Sequence, residues 1–279
     1  MKIRVQKMSA GKICISSNNF LEEGETYVDL VWRCEPKNTL DTYLREMVIP
    51  FGVRYIELWY PGWVVKENVE HVKQILSTCG IRGGSIGYYY PMSTPKQFAG
   101  DRRKGLLNAM DVAEVLGFSG VVTLPGPADW YNYTPNEQEV ERDIENLIKN
   151  VRPAIKWAEE RNLTIYMEVG HGACGDTVDR QMRWLKELGA ERIRLNFHPV
   201  AGNKHREFPE AFERLKDYIA YVHIAGFGKS INLGSNNFDG LLRRLKETSF
   251  EGFVCLEHFE HTELLREAVE YCKARGCVL

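Results

Sequence analysis

Short runs rich in valine, isoleucine and leucine alternate along the chain with longer stretches whose apolar residues recur at helical spacing. The strand-like runs are KICIS (12–16), VRYIELW (53–59), IRGGSIGYY (81–89), SGVVTLP (119–125), LTIYMEV (163–169), RIRLNF (192–197), YIAYVHIA (218–225) and GFVCLEHF (252–259). Between them, Val69, Val72, Leu76 and Cys79 share one helical face, as do Val140, Ile144, Leu147 and Val151, then Val178, Met182, Leu185 and Leu188, and lastly Leu264, Ala268 and Cys272. Gly80, Gly117, Gly189 and Gly276 fall where a left-handed residue would close a helix before the next strand. This is the pattern that βα units leave when they wind a parallel sheet.

Eight such units, with no Pro/Ser-rich linker, charge block or low-complexity stretch among them, predict a single α/β domain over residues 1–279, a closed (β/α)8 TIM barrel. No strand runs into GxGxxG or GxxxxGK[ST], the phosphate-cradling loops of nucleotide-binding sheets. The first unit is irregular: NNFLEEGETYVDLVWRCEPKN (18–38) reads as a long insertion after the first strand, fit for a lid or a pocket wall.

A barrel of this kind builds its active site at the carboxyl ends of its strands, so the polar residues there carry the information. The last four strands supply Glu168, His198, His223 and Glu257, at intervals of 30, 25 and 34 residues, about one βα unit each. A lone strand-end Glu is commonly a solvated or ion-paired group, and a lone strand His a satisfied core residue. Two carboxylates converging with two imidazoles are different, because side-by-side burial of carboxylates is costly without a compensating cation. The set suits one divalent ion: Mn, Zn, Co or Fe.

The sequence resembles the xylose isomerase-like TIM barrels, the sugar phosphate isomerase/epimerase superfamily that includes ketose 3-epimerases, hydroxypyruvate isomerases, inosose dehydratases and, more distantly, endonuclease IV. The likeness rests on GVRYIELW at the second strand, YMEVGH at the fifth, LNFHP at the sixth, YVHIAG at the seventh and LGSNNFDGLLRRLKETSFEGFVCLEHF at the eighth. The last stretch resembles, with one glycine replaced, the family's Gly-x-Gly-x-x-Asp turn, helix and Glu-bearing strand. In that family Glu, Asp, His and Glu from the last four strands hold a metal, and three positions match: Glu168, His223 and Glu257. His198 stands in place of the Asp. Imidazole is a good ligand but neutral, so the resemblance implies a less anionic cage suited to softer ions.

The resemblance further implies isomerisation or epimerisation of a sugar or related polyhydroxy carbonyl compound, by α-proton abstraction and a metal-stabilised enediolate. Glu168 and Glu257 would be ligands and proton carriers on opposite faces of the substrate. Ile224, Ala225 and Gly226 replace the Lys-Asp that follows the strand-seven His in many members. Lys229 takes the place of an Arg that holds substrate in ketose 3-epimerases, and Cys174 and Ala201 replace their further Glu and His. A ketohexose is therefore not the implied substrate. The same constellation also serves a lyase, either a dehydratase or an enzyme that removes the aglycone from a 3-keto-glycoside, and a catalytically silent sugar-binding barrel stands as a third reading.

Further candidates for substrate contact are Glu57, Trp59, Tyr90, Trp130 and His171, drawn from aromatic clusters (Trp59, Tyr60, Trp63; Tyr88 to Tyr90; Trp130, Tyr131) and strand ends. Each has a plain alternative as packing under a loop or a strand-end ion pair. The basic run Lys204-His205-Arg206 offers a place for an anionic group or is simply solvated surface, and His258 and His261 read as loop residues without a role.

Charge narrows the partners. Lys plus Arg total 36 against 38 Asp plus Glu, for a formal charge of −2, without the basic field that nucleic acid requires. No run is long and apolar enough for a membrane span, and the start lacks a signal-peptide core, so a cytoplasmic enzyme acting on a small molecule is expected, with room for a homo-oligomer. Seven cysteines without CxxC spacing read as reduced thiols packed like small hydrophobes.

Overall fold

All eight apolar runs form strands, because each supplies apolar side chains to both faces of a sheet that is covered on both. The computed structural model describes residues 9–20, 40–94, 96–126, 135–170, 172–189, 191–232, 234–259 and 261–279. Strands β1 (Ala10–Ser16), β2 (Tyr55–Trp59), β3 (Arg82–Pro91), β4 (Gly120–Leu124), β5 (Thr164–Glu168), β6 (Ile193–Phe197), β7 (Ile219–Ala225) and β8 (Phe250–Glu257) pair in parallel, in chain order, and β8 closes on β1. Around them lie α1 (Leu40–Tyr43), α2 (Val69–Thr78), α3 (Lys96–Leu116), α4 (Glu137–Arg161), α5 (Gly172–Gly175), α6 (Val178–Leu188), α7 (Glu210–Leu215), α8 (Phe238–Glu247) and α9 (Thr262–Ala274).

The period-two alternation of the strands divides the core in two. Ile13, Ile15, Ile56, Leu58, Ile86, Val121, Ile165, Leu195, Val222 and Val254 face outward into the layer shared with the helices. Cys14, Val122, Tyr166, Tyr221, Phe253 and Cys255 face inward and fill the barrel. Moving up from that inner cluster by two residues per step reaches Ser16, Glu57, Glu168, His223 and Glu257, all buried. Register fixes their neighbours: Ser16 pairs with Glu57, Glu57 with Ser85, and Glu168 with Asn196.

Helix ends follow local chemistry. Asn136 and Glu139 form a reciprocal capping box at the start of α4, and the Thr177 and Asn237 side chains accept backbone N–H groups at the starts of α6 and α8. Gly80, Gly117, Gly189 and Gly276 all take positive φ, as their placement in the sequence predicts. At the carboxyl ends, two strand limits shift by two residues: β3 runs on to Pro91, and β8 ends at Glu257, leaving His258 and Phe259 beyond it. Of segment 18–38, the first residues form a 3-10 turn (Ser17–Phe20) and residues 21–38 lie outside the described residues. The described cysteines are free thiols; all are buried except Cys79, which is half-buried.

A candidate metal centre at the strand ends

Four strands bring Glu168, His198, His223 and Glu257 to one point, the convergence the spacing predicts. His198 Nδ1 lies 3.1 Å from Glu168 Oε1, and His198 Nε2 lies 3.5 Å from Glu257 Oε1. His223 Nδ1 lies 3.3 Å from Glu168 Oε2 and 3.4 Å from Glu257 Oε1. One ligand atom from each of Glu168, His198 and His223 fits within a span of 4.8 Å. The His198 Nε2 atom is buried and makes no hydrogen bond. A buried nitrogen lone pair facing Glu257, on a ring whose other nitrogen meets Glu168 and with a second imidazole beside it, belongs to a donor set that fits a divalent cation, so the residues present fit the metal their spacing implies.

The electrostatics fit as well. Burial pushes Glu257 up to about 8; His223 opposes that shift, while the charges of Glu168 and Glu57 add to it. Burial pushes His198 down to about 3 against the pull of Glu168, so its imidazole is neutral and available as a ligand. Burial also acts to lower His223, but the charges of Glu257 and Glu57 outweigh it and hold the ring well above the usual histidine range. Three buried carboxylates around two imidazoles are a concentration of negative charge that a divalent ion would balance.

Several supporting residues had no signal in a search for strand-end acids and imidazoles. Asn196, two residues before His198 and on the same face of β6, reaches Glu168 Oε2 at 3.3 Å and His223 Nδ1 at 2.9 Å. Asn18, just past β1, donates to Glu257 Oε2 at 3.1 Å and lies 3.3 Å from His258 Nε2. Asn196 is found by stepping inward positions along its strand and keeping the amides, whereas Asn18 lies beyond β1 in the turn Ser17–Phe20. His258, which reads from sequence as a loop residue without a role, instead sits over the site: its Nε2 is 3.9 Å from Glu257 Oε2. Its ring stacks on Phe227, with centroids 5.0 Å apart, and Phe227 stacks in turn on His198 at 6.2 Å. Phe227 and His258 both hold left-handed backbone, at φ 50° and 54°, which is costly for bulky residues and is often retained at functional sites. Phe227 is 58% exposed, an apolar ring at the mouth of the site.

Other sequence-derived contacts change place. Glu57 is fully buried, and its two oxygens are taken by Ser16, Ser85, Tyr89 and His223, so none is left for a substrate hydroxyl. Tyr90 faces out of the barrel, against Tyr88 and under the Arg102 guanidinium of α3, because Tyr89 takes the inward position. Trp59 is buried with its ring 4.8 Å from Tyr89, and Lys229 is exposed on the loop after β7. Trp130 and His171 lie outside the described residues. In the basic run, Arg206 is buried and donates from Nε to the His198 carbonyl at 3.1 Å, which anchors the loop carrying that histidine. Lys204 is exposed, and His205 Nδ1 accepts from the Val178 backbone. The three side chains of the run thus have separate surroundings.

Among the described residues no helix is long and apolar enough to cross a membrane. The sequence has no significant match among curated proteins. Solved structures do share the fold. A D-tagatose 3-epimerase-like protein aligns with a TM-score of 0.72 at 17% identity, over 95% of this chain and 96% of its own. A 3-keto-D-glucoside 4-epimerase from E. coli aligns with a TM-score of 0.72 at 15% identity, over 95% and 99%. A probable 3-DHS dehydratase from Bacillus anthracis aligns with a TM-score of 0.65 at 15% identity, over 94% and 98%. At these identities the likeness speaks to fold alone. The model of one family, the xylose isomerase-like TIM barrel, matches residues 49–275, and with the closed barrel and its strand-end cluster this places the chain in that family.

Proposed function

We propose that this protein is a divalent-metal-dependent isomerase or epimerase of a sugar or a related polyhydroxy carbonyl compound. The observation that carries the reading is the buried, unbonded Nε2 of His198 facing Glu257 and His223 at the carboxyl ends of the strands. Glu168, His198, His223 and Glu257 would hold the ion, and the neutral His198 in place of a carboxylate favours Zn or Fe, with Mn and Co next. When bound, such an ion supplies Lewis-acid stabilisation of the negative charge that develops on a carbonyl oxygen.

The chain's own residues do the proton work. Glu168 and Glu257 belong to strands on different sides of the cluster, so each can address one face of a substrate lying across the mouth. The carboxyls of Glu168 and Glu257 are the groups at the mouth that can take and return a proton. Asn18 steadies Glu257, and Asn196 steadies Glu168, in the orientation that transfer needs. Solved structures of this fold include a 3-keto-D-glucoside 4-epimerase and an L-ribulose 3-epimerase, which supports sugar chemistry here.

A lyase reading draws on one specific feature. The exposed Phe227 ring at the mouth suits an apolar aglycone or a flat ring face better than a free hydroxylated chain end, and β-elimination also begins with α-proton removal. The dehydratase among the structural neighbours is consistent with that chemistry.

The test is the metal content of protein purified without a chelating tag, alongside His198→Ala. About one equivalent of Mn, Zn, Co or Fe in the parent and loss of it in the variant is the expected outcome. Exchange of substrate α-protons with deuterium across a panel of keto-sugars then separates epimerisation from elimination, since only the latter releases water or an aglycone. Parent protein that binds no metal even after reconstitution would leave a silent sugar-binding barrel as the better description.

A further inference from the structure

The geometry points to Glu57 as the positioning residue of the site: it holds His223 so that Nε2 carries the proton and Nδ1 offers its lone pair to the cluster above. This rests on the metal-site reading and assigns a task to a carboxylate that the reading leaves unused.

Glu57 sits one step below the cluster, on β2, with its side chain aimed across the barrel at β7. An ionised carboxylate offers about four acceptor positions and no donor. Four donors meet it here. Ser16 Oγ and Tyr89 OH donate to Oε1 at 2.9 and 2.7 Å, and Ser85 Oγ donates to Oε2 at 2.8 Å. The fourth position, on Oε2, faces His223 Nε2 at 3.3 Å. An acceptor-only partner leaves that nitrogen a single use, as an N–H donor. Neutral imidazole then has its lone pair on Nδ1.

Nδ1 is the nitrogen that meets the candidate ligands, 3.3 Å from Glu168 Oε2 and 3.4 Å from Glu257 Oε1. The Asn196 amide, 2.9 Å away, matches an acceptor at the same atom. The hydroxyls matter because they fix the carboxylate: Ser16, Ser85 and Tyr89 belong to β1 and β3, which flank β2, so Glu57 cannot rotate without breaking three bonds. A rival use of Glu57 would make it a ligand of a second ion together with His223 and Cys255, whose ligand atoms also fit within 4.8 Å. The four donors argue against it, since an ion on either oxygen would have to displace hydroxyl protons already in place.

Glu57→Gln tests the inference in the full chain. Each oxygen meets two donors, but Ser85 has a second acceptor to turn to, so the glutamine keeps its carbonyl on the Oε1 side and turns its NH2 toward Ser85 and His223. Ser85 tolerates this because its hydroxyl also lies 3.0 Å from Tyr221 OH and can donate there. His223 Nε2 then faces a donor, and the ring's proton moves to Nδ1. Metal-stripped parent and variant are titrated with Zn2+, and the 15N shifts of His223 are followed until the ring is neutral.

The expected result is about one equivalent in the parent, affinity weakened roughly 10–100-fold in the variant, and the neutral ring's proton moved from Nε2 to Nδ1. Unchanged affinity overturns the inference. So does a fall in affinity that accompanies a lower melting temperature with the proton still on Nε2, which is mere loosening. Two equivalents in the parent and one in the variant overturn it too, because Glu57 is then a ligand. Should the parent bind no zinc, the metal reading fails by itself, and the position of the His223 proton in the two proteins still decides whether Glu57 sets it.

Discussion

Glu57 and Glu257 are both buried glutamates on inward-facing strand positions, and they are held in opposite ways. Glu57 receives three hydroxyl donors and a histidine. Glu257 has one amide donor, Asn18, and otherwise shares its space with His198, His223 and His258. The consequence is electrostatic: burial acts to raise both, but at Glu57 the His223 charge and the hydrogen bonds prevail and its carboxyl lies below the usual value, while Glu257 rises to about 8. A saturated carboxylate is a fixed part of the floor, whereas an undersatisfied one at the rim is available for ligation and proton transfer.

The largest test of that contrast is Glu257→Gln. Removing a proton carrier costs typically 10²–10⁴-fold in rate, so α-proton exchange should fall by about that factor. Because a carboxyl that is mostly protonated near neutral pH gives way to an amide of the same shape, the metal-stripped variant should unfold in urea close to the parent there, and at a higher urea concentration above about pH 8, where the parent's carboxyl ionises. A large loss of stability with retained exchange would show that the rim carboxylate is structural and that the contrast has been drawn the wrong way round.

The next effect is a pH dependence with opposite signs at the two residues. Glu257 binds its proton more tightly in the folded than in the unfolded chain, so its stabilising contribution is full below about 4.5 and is lost as pH rises through about 8. Glu57 is depressed, so its contribution is present above its unfolded value of about 4.5 and is lost as pH falls through its lower folded value. Urea unfolding of metal-stripped protein, scanned from pH 9 down through the range below 4.5, should therefore show parent minus Glu257→Gln declining toward alkaline pH, and parent minus Glu57→Gln declining at the acid end. His223 owes its raised value to the charges of both glutamates and loses its contribution as pH rises, which adds to the alkaline decline of the Glu257 difference and leaves the acid limb of the Glu57 difference to Glu57 alone. Differences with the same sign would break the comparison.

How much of this was legible in the sequence follows from which residues carry periodicity and which carry only contacts. The strands read clearly because double-sided burial demands continuous apolar runs, and Glu168, His198, His223 and Glu257 stand out against them. The helix α3 is hard to read because Ala99, Ala109 and Ala113 share its buried side with Leu106, Met110 and Val112 and weaken the apolar stripe. Tyr90 was chosen over Tyr89 because three consecutive tyrosines hide which one points inward; the β3 register decides, and Tyr89 reaches Glu57. The role of Asn18 depends on a contact across 239 positions of sequence, which no local pattern announces. His258 lies at the site because β8 stops two residues earlier than its apolar run suggests, and the left-handed residue His258 turns its ring over Glu257.

The smallest effect sharpens the floor side alone. Ser85 Oγ donates to Glu57 Oε2 and also lies within bonding distance of Tyr221 OH, whose ring stacks on Tyr166 in the middle of the barrel. Ser85→Ala removes one of four donors while His223 still has its carboxylate partner. Loss of a hydrogen bond to a buried charged group costs about 1–3 kcal/mol, so the metal-stripped variant should lose stability on that order in urea. Its zinc affinity should fall less than that of Glu57→Gln, because the orientation of His223 depends on the carboxylate and only indirectly on what steadies it. Affinity that drops as far in Ser85→Ala as in Glu57→Gln would mean that the floor acts as one cooperative unit, and that its rigidity rather than the acceptor opposite Nε2 sets the imidazole.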